Sequence, residues 1–136
     1  GEGGPGRPAV ECWPQAVARP QMEHTAPKAA TAGKPLALAL RVWPLKDVTA
    51  VRLHYRRLNQ LEQWTTLEAS PQRASFSIPA EAIDARWDLE YYFEVLNSQG
   101  TGWFVPDPVQ ATPYFVVAVN VDATPPPEAP PPAPGK

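Results

Sequence analysis

Apolar and polar residues alternate along several short stretches of this chain, and a period of two residues predicts β-strands with one buried face. The clearest stretch, 88–96, is rich in aromatic residues and runs into the turn residues of 97–100. Proline or glycine separates most stretches, and no long helical period is present. This pattern predicts an all-β fold, a seven-stranded antiparallel β-sandwich. The expected strands are 21–25, 36–42, 48–57, 63–68, 73–78, 88–96 and 114–119.

The two ends of the chain differ in composition from the middle. Residues 1–20 combine proline with glycine, and seven of the 13 residues from 124 to 136 are proline. Such sequence favours an extended polyproline II backbone and excludes helices and interior strands. We therefore expect one domain at 21–121, a Pro/Gly-rich leader or linker at 1–20 and a disordered Pro-rich tail at 122–136. The alternative for the tail is a docking motif for a proline-reading domain.

Composition argues against several classes of function. The formal net charge is −2, whereas nucleic-acid binders usually carry a strong basic excess. No apolar run approaches the roughly 20 residues that span a bilayer, and 1–8 does not read as a signal peptide. The single cysteine, Cys12, cannot form an intradomain disulfide and is expected to be incidental; the alternative is a disulfide with a cysteine of another molecule or of an upstream segment.

Three segments of the middle region carry a resemblance to a known fold family. They are the opening 23–36, the strand Val51–Arg56 of the form V-x-L-x-Y-R, and the stretch 78–100. Their order and spacing resemble the immunoglobulin-like and fibronectin type III-like modules of bacterial secreted and surface proteins, without the cysteine pair of antibody domains. The resemblance implies a periplasmic, secreted or cell-surface location. It also implies that Tyr91 bonds back to the corner before its strand.

The resemblance further implies that the strands 48–57 and 88–96 are neighbours in one sheet. Three outward residues of the first strand then share a face with three of the second: Arg52, His54 and Arg56 with Glu90, Tyr92 and Glu94. Taken alone, the arginines look like a basic patch for an anionic ligand. Because carboxylates lie opposite them, we interpret the face as charge-paired and solvated.

The chain offers few residues for catalysis, and we expect no enzyme activity. Its two histidines, His24 and His54, are expected on an edge strand and on the solvent face. A G-x-S-x-G motif is absent, and Cys12 lies in the leader. The acidic group at 84–90 lacks the glycine turn and the ligand series of a calcium loop. We therefore expect no metal and no other cofactor.

Five tryptophans are many for 136 residues, and two of them are predicted to lie near one another. Trp43 ends one strand and Trp103 follows another, in loops that leave the same end of the expected sandwich. Rings at a loop tip can stack on sugars or anchor a protein contact, whereas the alternative is that they close the end of the core. We expect Trp64 to pack beside the core. The residues of the predicted binding site are Trp43, Trp103, Asn97, Gln99 and Asp107.

We interpret the chain as a non-catalytic accessory or interaction module of a larger exported bacterial protein, acting as a spacer or a protein-contact domain. Its expected partners are neighbouring domains of that protein or another protein. One alternative is a carbohydrate-binding module that stacks polysaccharide on the loop tryptophans. Another is an adhesin that pairs through its apolar last strand. Neither nucleic-acid binding nor a membrane span is expected.

Overall fold

The structure is a computed structural model, and it describes residues 18–121. Within this region ten short strands and two single 3-10 turns are formed, which confirms the expected all-β character. The leader up to residue 17, with Cys12, and the tail from residue 122 lie outside the described residues. The strands are β1 (Gln21–Glu23), β2 (Ala29–Thr31), β3 (Leu36–Ala39), β4 (Arg41–Trp43), β5 (Val48–Arg57), β6 (Thr65–Ala69), β7 (Ser75–Ile78), β8 (Leu89–Asn97), β9 (Gly102–Val105) and β10 (Phe115–Asn120). The 3-10 turns are Pro71–Arg73 and Ala80–Ala82.

Six strands form one sheet, with the order β2-β10-β8-β5-β6 and with β9 beside β8. Two smaller antiparallel pairs, β1–β4 and β3–β7, complete the described region. The longest strands, β5 and β8, pair antiparallel over nearly their whole length. These are the strands that the alternation indicates most clearly, and their predicted neighbour relation is confirmed.

The core is built by the inward side chains of the large sheet and of the smaller pairs. Along β5 and β8 the buried positions recur every second residue, as the pleat of a strand requires. These side chains pack in one cluster with inward residues of β3, β4, β7 and β10. The side chains that are most completely buried are Val51, Leu53, Ile78, Leu89, Tyr91, Phe93 and Val95. The alternate residues of β5 and β8 therefore form an outer face.

The stretch expected as one strand at 36–42 is divided into β3 and β4 at Leu40. β3 pairs with β7, whereas β4 pairs with β1, so the partner changes along the way. At the break the N–H of Leu40 donates to the carbonyl oxygen of Ala74. The buried positions continue through the break at Leu38, Leu40 and Val42. A change of partner leaves the side-chain period intact, so the pattern alone does not reveal it.

Pairing in the large sheet is mixed, which corrects the expectation of seven strands in purely antiparallel sheets. β2 runs parallel to β10, with Ala30 opposite Val119. The chain pairs β1 with β4, passes Pro27, and then joins the large sheet as β2. Proline has no N–H to donate to a ladder, which suits a point where the chain changes sheets. The sequence pattern predicts only one extended segment here, at 21–25.

Two strands share one edge of β8, with β10 along its first residues and β9 along its last. The pattern predicts an irregular loop at 100–113, whereas the structure forms the strand β9 within this segment. Gly102 permits it, because a Cβ there would lie 2.0 Å from the carbonyl oxygen of Val95. Between the two strands the segment 106–114 leaves the edge and contributes side chains to the outer face.

Candidate binding surface

The outer face of β5 and β8 carries the polar residues that the alternation places there. The directly opposite pairs on this face are Arg52–Glu94, His54–Tyr92 and Arg56–Glu90. Residues that lie directly opposite in an antiparallel pair have neighbouring side chains. The register therefore confirms that basic side chains of β5 face carboxylates of β8.

The polar side chains of this face bond to one another. His54 contacts Glu94 through Nε2 at 2.9 Å and the hydroxyl of Thr66 through Nδ1 at 2.8 Å. The Nε of Arg52 donates at 2.9 Å to Glu68, which lies on β6. The arginines of this face are paired with carboxylates as predicted, except that the partner of Arg52 lies on β6 and not on β8, and little of the basic character is left for an anionic ligand.

One ion pair of the face is buried, which corrects the expectation of a wholly solvated surface. Arg56 donates from Nε to Glu90, whose side chain is only 3 % exposed. The Nη1 of Arg56 donates to the carbonyl oxygen of Glu62 at 3.1 Å, and its guanidinium lies 4.4 Å from the ring centre of Trp64. Removing either partner would leave a buried charge unpaired. Through its contacts with both groups, Arg56 links Glu90 of the sheet to the indole ring of Trp64.

Beside these ion pairs, side chains from four segments form a groove on the outer face, which we call the aromatic groove. Trp64 lies just before β6, Tyr92 in β8, Phe104 in β9 and Tyr114 just before β10. Two prolines of the β9–β10 loop complete its wall. The aromatic groove is lined by Trp64, Tyr92, Phe104, Pro108, Pro113 and Tyr114, and its volume is about 230 Å³.

The rings of the aromatic groove hold one another in place. Trp64 packs edge-on against Tyr92 with ring centres 5.1 Å apart, and it is tilted against Tyr114 at 5.4 Å. Phe104 packs edge-on against Tyr92 at 5.8 Å, and His54 stacks on Tyr92 at 4.6 Å. Aromatic contacts of this kind are each worth about 0.5–1.5 kcal/mol beyond the area they bury. The groove is therefore preformed, and a ligand does not have to order it.

Three of the side chains that line the aromatic groove carry a hydrogen-bond donor. Within residues 18–121 no protein group is bonded to the indole N–H of Trp64 or to the hydroxyls of Tyr92 and Tyr114. Burial raises the pKa of Tyr92, and Glu94 and Tyr114 raise it further, so its hydroxyl keeps its proton. An apolar groove with a few such groups is the common form of a ligand site. This one suits a ligand that offers apolar surface and oxygen acceptors.

A second pocket adjoins the aromatic groove and shares Pro113 and Tyr114 with it. Its volume is about 400 Å³, and its lining includes Leu58, Val116 and the buried Arg56–Glu90 pair. Because Tyr114 lines both spaces, it forms a common wall between two neighbouring pockets.

The two tryptophans predicted to form a binding site lie in different surroundings. Trp43, at the end of β4, is 37 % exposed, and the guanidinium of Arg41 lies 4.5 Å from its ring centre. Trp103 is partly buried in β9 and packs against the core. The loops beside them meet, since the N–H of Ser98 donates to the carbonyl oxygen of Asp47 at 2.8 Å. Among residues 18–121, however, the ring contacts do not join Trp43 to Trp103.

The three polar residues predicted for that site take part in local turns. Asn97 Oδ1 accepts from the backbone N–H groups of Gln99 and Thr101 at 2.9 and 3.1 Å. Its Nδ2 donates to the hydroxyl of Thr101 at 3.1 Å. Asp107 accepts a hydrogen bond from a backbone N–H of its own loop and lies 4.0 Å from Arg19. Asn97 thus shapes the turn that leads to β9, and Asp107 shapes the loop that leads to the aromatic groove.

Tyr91 does not bond back to the corner before its strand, as the resemblance implied, but to the segment between β1 and β2. Its hydroxyl lies 2.7 Å from Nε2 of His24, whose Nδ1 lies 2.7 Å from the carbonyl oxygen of Ala39. A carbonyl oxygen only accepts, so Nδ1 carries the proton and Nε2 accepts from Tyr91. Burial lowers the pKa of His24 and raises the pKa of Tyr91, so both are neutral near pH 7.

Sequence reasoning did not identify the aromatic groove. Trp64, expected beside the core, lies instead on the outer face against Tyr92 and Tyr114, outside the buried core cluster. The available signal was the outward position of Tyr92 in the alternation of β8, since a large ring placed outward needs a neighbour or a ligand. Trp64 and Tyr114 fall within the expected strands 63–68 and 114–119, but in the structure they lie just before β6 and β10, so the alternation does not indicate which face they take.

Comparison with known proteins adds no assignment: no protein family matches this chain, and no curated protein matches its sequence. In the region 18–121 no helix has the length and apolar character needed to cross a membrane. In the same region no three His, Cys, Asp or Glu side chains are grouped so that they could hold a metal ion.

Proposed function

We propose that residues 21–121 form an immunoglobulin-like or fibronectin type III-like β-sandwich. It serves as a non-catalytic interaction module of a larger, exported bacterial protein. In this proposal the module makes a protein contact, and the contact surface is the aromatic groove, which binds an extended apolar peptide segment.

The strand arrangement supports the fold part of the proposal. In such sandwiches the second and fifth strands share one sheet, while the third, sixth and seventh share the other. The β3–β7 pair and the neighbouring β5, β8 and β10 correspond to these two groups. The parallel pairing of β2 departs from the simplest seven-stranded version.

The observation that carries the function is the aromatic groove itself. Large rings exposed around a preformed depression are typical anchors of protein interfaces, where they bury much apolar area at little cost in entropy. Phe104 is 42 % exposed although it belongs to a strand, and the groove offers the hydrogen-bond donors of Trp64, Tyr92 and Tyr114. An extended peptide presents the matching groups, namely apolar side chains and carbonyl oxygens.

The charges around the groove favour an uncharged ligand, such as an apolar peptide segment, over an anionic ligand. Of the residues that the structure describes, 18–121, none that lines the groove is charged. The nearest hydrogen-bonding side chains outside the groove are bonded to one another, His54 to Glu94 and Arg56 to Glu90. Carbonyl oxygens of a peptide accept hydrogen bonds, which the indole N–H of Trp64 and the hydroxyls of Tyr92 and Tyr114 can donate.

A selection experiment with displayed random peptides tests this function. The full 136-residue chain is immobilised beside two variants, Trp64→Ala in the groove and Trp87→Ala as a control. Trp87 is also a partly exposed tryptophan, but it does not line the groove. We expect the same peptides to be enriched on the unchanged chain and on Trp87→Ala, and to be lost on Trp64→Ala. Enrichment that ignores Trp64 would contradict the proposal.

Carbohydrate binding is the second candidate, because the C–H faces of sugar rings also stack on aromatic rings. The exposed edge of Phe104 and the hydroxyls of Tyr92 and Tyr114 favour it. Affinity electrophoresis in gels that contain soluble polysaccharides tests it with the same variants and with Trp43→Ala. Retardation that is lost in Trp64→Ala would place sugar in the groove. Retardation that is lost only in Trp43→Ala would favour the predicted loop-tip site with Trp103.

A further inference from the structure

The chemistry of the aromatic groove points to one kind of peptide, and this inference rests on the proposed function. A polyproline II segment has no internal hydrogen bonds, and its prolines have no N–H. Its carbonyl oxygens therefore need donors from outside, and its rings need apolar surface. Trp64, Tyr92 and Tyr114 offer both. Grooves lined by aromatic side chains are a recurring way of binding such segments.

The chain itself carries a segment of this composition. Seven of the ten residues from 125 to 134 are proline, and Glu128 is the only charged residue among them. Among the described residues 18–121, those that line the aromatic groove are uncharged. Segment and groove thus match in their largely apolar character and in their hydrogen-bonding groups.

We propose that the aromatic groove binds the segment 125–134 of the same chain in the polyproline II conformation. In this state the groove is covered by its own chain. A proline-rich segment of a partner would then have to displace it.

The distance along the chain permits this contact. Tyr114 lines the groove, and the six residues of β10 then carry the chain away from it. Six strand residues span about 20 Å at roughly 3.3 Å per residue. A return of the same length needs about seven residues at roughly 3.1 Å each in polyproline II. Residues 121–127 can make that return, so the chain reaches the groove at Pro127 and the prolines after it can lie along the groove.

The two adjoining pockets suit the repeat of such a helix. Polyproline II has three residues per turn, so every third residue lies on one edge, roughly 9 Å apart. Pairs with this spacing occur at Pro127 and Pro130 and at Pro131 and Pro134. Consecutive members of a pair can enter the neighbouring pockets on the two sides of Tyr114.

NMR of the Trp64 indole N–H in the full chain tests the proposal. The comparison variant combines Pro126→Ala, Pro127→Ala, Pro130→Ala and Pro131→Ala, which lie outside the described fold. Trp64→Phe assigns the signal, and the Trp87 indole signal serves as the internal control. A synthetic peptide with the sequence of residues 123–136 is added to both proteins, and a peptide with the same alanines is its control.

We expect the Trp64 signal to differ between the two proteins while the Trp87 signal stays the same. Added peptide should return the signal of the alanine variant towards that of the unchanged chain. A tethered segment has an effective concentration on the order of 1 mM, so it competes with added peptide. Half-saturation of the unchanged chain should therefore need more peptide than the alanine variant, by about tenfold if the segment binds with a Kd on the order of 0.1 mM.

Three results would overturn the inference. One is an identical Trp64 signal in both proteins without any response to peptide. Another is an equal response of both proteins to peptide, which means that the groove takes such segments only from other molecules. The third is a Trp64 signal that depends on protein concentration, which indicates a second copy as the source. If displayed peptides without proline still bind through Trp64, the proposed function stands and only this inference falls.

Discussion

The hydrogen bond between Tyr91 and His24 should make a measurable contribution to stability, and Tyr91→Phe removes it with little change in shape. Tyr91 is completely buried, and its hydroxyl donates to Nε2 of His24 at 2.7 Å. Leaving a buried acceptor without its donor costs about 1–3 kcal/mol. Since His24 is only half-buried, water can reach it in part, and we expect a loss of about 1–2 kcal/mol.

Urea unfolding of the full chain, followed by circular dichroism, measures this loss. With a slope of about 2 kcal/mol per molar urea, the midpoint should fall by roughly 0.5–1 M while the slope stays unchanged. Tyr92→Phe is the matched control, because its hydroxyl has no protein partner within residues 18–121. We expect that neighbouring substitution to change stability by less than about 0.5 kcal/mol.

A double-mutant cycle separates the hydrogen bond from the packing of the imidazole. His24→Ala should cost more than Tyr91→Phe, because the ring also packs against Phe93 and Phe115 at 4.8 and 5.0 Å. The double variant should lose about 1 kcal/mol less than the sum of the two single losses, since both remove the same bond. Full additivity, or equal effects of Tyr91→Phe and Tyr92→Phe, would refute the reasoning.

Three further predictions concern buried or hydrogen-bonded polar groups of the fold. Burial holds the pKa of His24 below its ordinary 6.5, so the unfolded chain binds more protons and stability falls as the pH drops from about 7 to 5. Thermal melts should show a smaller fall in His24→Gln, and equal profiles would count against a buried neutral imidazole. Glu90→Gln leaves the buried charge of Arg56 without its partner and should cost about 2–4 kcal/mol. Glu68→Gln breaks an exposed pair and should cost less than about 1 kcal/mol in the same urea assay. Asn97→Ala removes the side-chain hydrogen bonds that hold the β8–β9 turn. A loss of about 1.4 kcal/mol in the local stability of the turn makes hydrogen exchange of its backbone N–H groups about tenfold faster. Unchanged hydrogen exchange would contradict the role of these bonds.

Much of the central sheet could be predicted from the alternation of residues. The strand at Val48–Arg57 has the bounds that the pattern indicates, and Leu89–Asn97 differs by one residue at each end. The family resemblance added that the two strands are neighbours in one sheet. The alternation also predicted which residues of both strands face inward and which face outward. The reason is physical: side chains alternate strictly along a strand, so burial of one face leaves a local record in the sequence.

The aromatic groove and the partners of the outer strands depended on tertiary structure. Trp64, Tyr92 and Tyr114 are far apart in sequence, and they meet only because the chain at 106–114 leaves one edge of β8 and crosses the outer face. The parallel pairing of β2 and the division at Leu40 are equally invisible in the pattern. A strand keeps the same two-residue period whichever neighbour it pairs with. The sequence by itself therefore determined which residues face inward, and the three-dimensional packing decided which outward residues stand together.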